Sequence, residues 1–234
     1  MLARHALGWI DLGPLIAIVG SDGSGKSTVG QALLDWLKES GPAELCHLGK
    51  QSGNLGRALG RLPFVGSRVE TTIDNKVKEA GEAKGPGFLA SLAVYAFTLR
   101  RVRRFRRMLR LREQGVTILA DRFPQLSMPA AIDGPGFGRL RSDRGIARRL
   151  APIELRQFEW MTSHRPDLVI RLVVDLETAL RRKPDHRRDN LAAKVADIPK
   201  LTFGGAPIVD IDAGLPIEQV VEQAKAAITR IVKR

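Results

Sequence analysis

The sequence predicts an α/β fold: a parallel sheet of about five strands with helices on both faces. Three observations predict it. Short apolar runs rich in β-branched residues recur along the chain, and the first of them, LIAIV at 15–19, has the make-up of a strand buried on both faces. Stretches with apolar residues every three to four positions alternate with these runs, and strands alternating with helices close as a parallel sheet. No composition break, internal repeat or low-complexity linker divides the 234 residues, so we read residues 1–234 as a single domain, with 1–13 as an N-terminal extension.

Each element follows from local pattern. Residues 15–19 end at Gly20. From Lys26 to about Ser40 the apolar positions Val29, Ala32, Leu33, Trp36 and Leu37 keep helical spacing, and Gly41-Pro42 stops the helix. Residues 43–48 are read as a second strand. The glycine-rich, polar stretch 49–87 carries one expected helix over 69–78. Phe88, Leu92, Tyr95, Leu99, Val102, Phe105 and Leu109 predict a long helix from 88 to about 114, its apolar stripe facing the core and its arginines on the other faces. Gly115 ends it. VTILAD at 116–121 is a strand closing on an acid. Residues 124–150 read as loop with short helical pieces, 152–163 as helix, 168–174 as strand and 177–183 as helix. A charged patch, RRKPDHRRD, follows. Residues 207–211 form the last strand and 217–232 an amphipathic closing helix.

One motif carries specific chemistry. GSDGSGKS, Gly20 to Ser27, fits the pattern G-x-x-x-x-G-K-[ST] between an apolar strand and an amphipathic helix. Glycines let the backbone curl with positive φ and approach a phosphate without Cβ clashes. The turned-in N–H groups and the helix N-terminus bind the anion. Lys26 can reach the β- and γ-phosphates of a nucleoside triphosphate, and the Ser27 hydroxyl can ligate Mg²⁺. The binding loop therefore comprises Asp22, Gly23, Ser24, Gly25, Lys26, Ser27 and Thr28, within a three-layer P-loop NTPase fold. Asp121, ending its strand, stands where such a protein holds Mg²⁺; the alternative is an Asp that caps the next segment. The patch holding Arg181, Arg182, Arg187 and Arg188 reads either as a short Arg-bearing lid over about 181–200 or as a solvated helix end.

Composition narrows the partners. Lys and Arg number 38 against 25 Asp and Glu, a net charge of +13. Nearly all the excess lies in two stretches. One holds Arg100, Arg101, Arg103, Arg104, Arg106, Arg107, Arg110 and Arg112 with no acid between them; the other holds Arg139, Arg141, Arg144, Arg148 and Arg149. An anionic small substrate, nucleic acid and an anionic membrane surface all remain open on charge alone. Aromatic residues are 5% of the chain, and Phe105 alone lies in the Arg-rich half of the long helix, too few to stack single-stranded bases. We favour a solvated or partner-facing arginine surface over polyanion or membrane contact. A single cysteine, Cys46, excludes an intrachain disulfide and a Cys-based zinc site, and the four scattered histidines lack metal-ligand spacing. The N-terminus carries Asp11 and no long apolar core, so the chain is expected to be soluble and cytoplasmic.

These residues resemble the thymidylate kinase branch of the P-loop nucleoside-monophosphate kinases. The resemblance rests on the loop GSDGSGKST with its acid Asp22, and on Asp121-Arg122-Phe123, similar to the family's Asp-Arg-aromatic motif. Ser127, Ala130, Ala131 and Gly134 follow in a similar order. Gly115 falls on the family's helix-ending Gly, and VDIDAGLPIEQV at 209–220 is similar to its closing strand, Asp-Ala turn and helix. The resemblance implies a kinase using ATP and Mg²⁺, with Lys26 bridging donor and transferred phosphate and Asp22 at the acceptor sugar or its phosphate. It implies Arg100 and Arg122 on the acceptor, Arg182 and Arg187 or Arg188 in the lid, and Asp212-Ala213 near the adenine. Family members often dimerise through helices beside the long one. The chain departs from the family after the second strand: HLGKQSGNLG at 47–56 stands where an Arg-Glu-Pro-Gly-Gly stretch binds the acceptor phosphate, and Lys50 or His47 is the substitute there.

Three readings follow. One is a kinase for a nucleoside monophosphate such as dTMP. The second is a kinase of the same fold for another small acceptor, such as a sugar, a sugar phosphate or a polysaccharide precursor. The third is an ATP-binding protein that docks on a polyanion through its arginines.

Overall fold

A computed structural model describes residues 12–49, 87–128, 132–139 and 145–232. The expected helix at 69–78, Lys50, Ala130 and Ala131 lie outside them. In chain order the described elements are β1 (Leu15–Gly20), α1 (Lys26–Ser40), β2 (Ala43–His47), α2 (Phe88–Glu113), β3 (Thr117–Asp121), α3 (Ala147–Ser163) and β4 (Leu168–Val173). They continue with α4 (Leu176–Arg182), α5 (Arg188–Asp197), β5 (Ile208–Asp212) and α6 (Ile217–Val232). The five strands form one sheet in the order β2-β3-β1-β4-β5, and every pairing is parallel. This is the P-loop NTPase-like α/β fold.

Strand β1 is central and wholly buried. Its period of two divides the core. Ile16 and Ile18 point to the α1 and α6 side, where they join Leu33, Ile170 and Ile228. Leu15, Ala17 and Val19 point to the other side, against Val102 and Phe105 of α2 and Phe158 of α3. Register brings the strand ends level: Ile18 and His47 both pair with Asp121, Gly20 with Leu172, and Val173 with Asp212. Ligands of open α/β sheets bind outside this carboxyl edge.

Helix α2 spans its expected range, but its buried face differs from the expected stripe. Ser91, Thr98, Arg101, Val102, Phe105 and Met108 are buried, while Phe88, Leu92 and Leu99 are exposed. The cause is a pair of buried polar contacts to neighbouring segments. Thr98 donates to Glu154 of α3 at 2.5 Å, and the Arg101 guanidinium, 2% exposed, donates to the Asp133 carbonyl at 2.7 Å and to its Oδ1 at 3.1 Å. Buried polar groups are tolerable when paired in this way. The arginines therefore do not all lie on outer faces. Helix α3 also starts earlier than expected, at Ala147, with Pro152 inside its second turn.

Candidate active site

The loop between β1 and α1 is shaped by glycine. Gly23 and Gly25 have φ of 83° and 84°, and a Cβ at Gly23 would lie 2.8 Å from the Ala179 carbonyl oxygen of α4. Only glycine combines that φ with that approach at no steric cost. Helix α1 begins at Lys26 without a side-chain cap, so the N–H groups of its first turn are free to meet an anion. Ser24 closes the loop internally, its hydroxyl donating to the Ser21 carbonyl at 2.9 Å. The Lys26 ammonium folds back on the loop's entry, donating to the carbonyls of Gly20 at 2.9 Å and Ser21 at 2.7 Å. Burial lowers its pKa, as does the Arg122 charge, against the pull of Asp22, Asp121 and Asp133. Ser27 and Thr28 are exposed at the rim of the helix start.

Asp22 is the electrostatic centre of the loop. Its carboxylate accepts from the Lys194 ammonium of α5, with Arg122 Nη2 at 3.5 Å and His186 Nε2 at 3.7 Å. Burial alone would raise its pKa; the cations Lys194, Lys26 and Arg122 outweigh burial and hold it below the usual carboxylate range. At the end of β3, Asp121 Oδ2 lies 2.6 Å from His47 Nδ1. Here too burial is outweighed, by His47, Lys26 and Arg122, and the pKa is lowered. Asp121 Oδ1 is buried and takes no hydrogen bond. That orphaned oxygen and the Ser27 hydroxyl at the helix start are a hard oxygen donor set of the kind Mg²⁺ prefers when phosphates and water complete its shell. Among the described residues no group of three or more His, Cys, Asp or Glu forms a self-sufficient metal site.

Two clefts flank the loop. On one side Ser24, Gly25, Thr28, Arg182, Ala213 and Leu215 line an open groove between α1 and the turn after β5. Arg182 bridges its walls, donating to the carbonyls of Gly23 at 3.2 Å and Ala213 at 2.8 Å. On the other side Lys26, Arg122, Phe123, Asp133, Ile198 and Phe203 line a narrow crevice of apolar and charged groups.

The structure brings Asp22, Lys26, Asp121 and Arg122 together. Arg187 precedes α5 with an exposed side chain, and Arg188 pairs with Glu177 away from the loop. The residues of that segment that reach Asp22 are His186 and Lys194, neither of which sequence spacing singled out. Arg100 is half-buried and makes no hydrogen bond or ion pair with the described residues; its neighbour Arg101 is the arginine that turns inward. The His47–Asp121 pair was also missed. Its one signal is that both residues end neighbouring parallel strands.

No family model matches the chain. Over 220 residues the chain is 38% identical to the uncharacterized ATP-binding protein YghR of Escherichia coli strain K12, covering 93% of this chain and 87% of YghR. Over 217 residues it is 36% identical to the uncharacterized ATP-binding protein YghS of the same strain, covering 92% of each.

Proposed function

The chain belongs to the family of YghR and YghS, and from that premise we propose that it binds ATP and transfers the γ-phosphoryl group to a small acceptor, as the thymidylate kinase-like kinases do. The observation that carries this reading is the pair of clefts that flank the loop, one lined by Lys26 and Arg122 and the other by Gly25, Thr28 and Arg182. A protein that only binds ATP needs one cleft; a transferase needs a second that opens on the transferred group. The groove at Thr28, Arg182 and Ala213 takes the adenine and ribose of the donor. Lys26 leaves its carbonyl partners to bridge the donor and transferred phosphates. The crevice at Arg122, Phe123 and Phe203 takes the acceptor, with Arg122 on its anionic end.

Ser27 and Asp121 would hold Mg²⁺, which would supply charge neutralisation on the donor phosphates. Positioning and charge neutralisation supply the rate, with no covalent enzyme intermediate. The resemblance to thymidylate kinases, carried by Asp121-Arg122-Phe123 beside the loop, favours a nucleoside monophosphate such as dTMP. A second reading, a different small acceptor, is favoured by the end of β2. His47, bonded to Asp121, and Gly49 replace the stretch that binds the acceptor phosphate in thymidylate kinases.

The test is a panel of nucleoside monophosphates and sugar phosphates, scored for acceptor-dependent ATP consumption with Mg²⁺. Turnover with dTMP supports the first reading, and turnover with a sugar phosphate supports the second. Lys26→Ala is expected to abolish either while leaving the melting transition in place. Phosphoryl transfer retained in that variant would sink the kinase assignment.

A further inference from the structure

Asp121 uses one carboxylate oxygen and keeps the other idle. Oδ2 accepts from the ring nitrogen Nδ1 of His47 at 2.6 Å. Oδ1 is buried and has no hydrogen bond among the described residues. A buried carboxylate oxygen without a partner is costly, so one kept at a ligand-binding edge is a place held for a ligand. Lys26 and Arg122 lie near enough to act on Asp121 electrostatically, yet both donate elsewhere: Lys26 to the carbonyls of Gly20 and Ser21, and Arg122 toward Asp22. Oδ1 is thus the open half of the carboxylate.

His47 is itself firmly held. It ends β2 in register with Asp121 at the end of β3, and residues in register project to the same face of a sheet. The next residue, Leu48, is fully buried, and its N–H donates to the Asp121 carbonyl at 2.9 Å. Beyond it Arg104 of α2 donates to the Gly49 carbonyl at 2.8 Å. Gly49 also leaves the ring its room, since a Cβ there would stand 3.0 Å from His47 Nε2. An ionised carboxylate only accepts, so the proton of this bond sits on Nδ1. A hydrogen bond from a fixed N–H sets the plane of the carboxylate, and with it the direction of the second oxygen.

We propose that His47 is a positioning residue for the metal site: its Nδ1–H holds Asp121 Oδ2, so that Oδ1 is the oxygen presented to Mg²⁺. The inference rests on the Mg-nucleotide site of the reading above and not on the transfer step. His47 acts through Asp121, and the end of β2 serves the donor's metal rather than an acceptor phosphate.

The test measures the affinity of the full chain for the non-hydrolysable ATP analogue AMP-PNP by calorimetry, once with Mg²⁺ and once with EDTA. The ratio of the two dissociation constants reads the gain from the metal. His47→Ala is expected to cut that ratio by about tenfold, with affinity in EDTA at the wild-type value because the phosphate loop is untouched. His47→Asn offers an amide N–H near the place of Nδ1 and is expected to restore most of the ratio. Asp121→Asn is expected to lose the ratio as His47→Ala does, and the double variant to lose no more than Asp121→Asn alone. A ratio unchanged in His47→Ala overturns the proposal. So does an equal loss with Mg²⁺ and with EDTA, which marks a merely structural tie between strand ends, or a His47→Asn variant no better than His47→Ala. A wild type that binds AMP-PNP with no gain from Mg²⁺ also overturns it and leaves ATP binding standing; one that binds no AMP-PNP overturns both. Phosphoryl transfer absent with the ratio and its response intact would sink the transferase reading alone.

Discussion

Lys194 fastens helix α5 to the nucleotide loop, and its removal should free that helix. Its ammonium pairs with Asp22 across 172 residues of sequence, with side chains 35% and 18% exposed. Half-exposed pairs are screened by solvent, so the discounted contribution is about 1 kcal/mol. That corresponds to about a fivefold change in the population with α5 undocked. Lys194→Met should raise amide hydrogen exchange of 188–197 by about that factor, and Asp22→Asn should do the same. The double variant should add little to either, since each single change already breaks the pair. Because the pKa of Asp22 is lowered in the folded protein, the pair is fully formed above the unfolded carboxylate value of about 3.9. It is lost as pH falls through the lower folded value. Exchange in 188–197 unchanged by both substitutions, or additive effects in the double variant, would refute the docking role.

Other predictions probe the remaining contacts. Gly49→Ala places a Cβ 2.3 Å from Arg122 Cδ and 3.0 Å from His47 Nε2, so it should displace Arg122 and raise the acceptor KM with little change in melting temperature; an unchanged KM would remove Arg122 from the acceptor site. Glu154→Gln turns an amide N–H₂ or a weaker acceptor toward the Thr98 hydroxyl and the N–H groups of Gly136 and Phe137, and should cost about 2 kcal/mol by urea unfolding. Phe203→Ala removes a buried ring packed edge-on to Phe123 and should cost about 3 kcal/mol in the same measurement. Changing Arg100, Arg103 and Arg110 together to Gln should lower the salt slope of heparin retention by about three at most.

The layers were legible because they depend on local period. LIAIV, TILAD and LVIRLV are apolar enough to be buried strands in any arrangement, and the loop between β1 and α1 announces itself through three glycines and a lysine. What stayed hidden depends on pairs distant in sequence. Thr98 meets Glu154 56 residues on, and Arg101 meets Asp133 across 32. A hydropathy stripe scores Thr98 and Arg101 as outward-facing because it counts side chains singly; a buried hydrogen-bonded pair is cheap only when both halves are present. The same limit hid Lys194. On α5 it looks like one more surface cation, and only the fold brings it to Asp22.

The arginine excess on α2 is explained largely by such pairs. Arg101 holds Asp133, Arg104 donates to the Gly49 carbonyl, Arg106 lies over the Trp160 ring, Arg107 meets Glu44, and Arg112 binds the Gly13 carbonyl and Asp167. Two of these partners lead to the ligand-binding edge: Gly49 touches Arg122 and His47, and Asp133 lines the crevice. A third anchors the base of the sheet, since Asp167 also accepts from the Leu15 N–H that opens β1. The Trp160 ring carries no formal charge, so Arg106 serves there as a packing group, while Arg104 serves the Gly49 carbonyl as a hydrogen-bond donor. A helix can therefore be strongly basic without addressing a polyanion: its cations act as long multidentate donors that tie α2 to the loops on both ends of the sheet. Neutral Gln at 104 and 106 would keep the charge-independent part of neither contact, since it is too short to reach Gly49 and has no cation to place over Trp160.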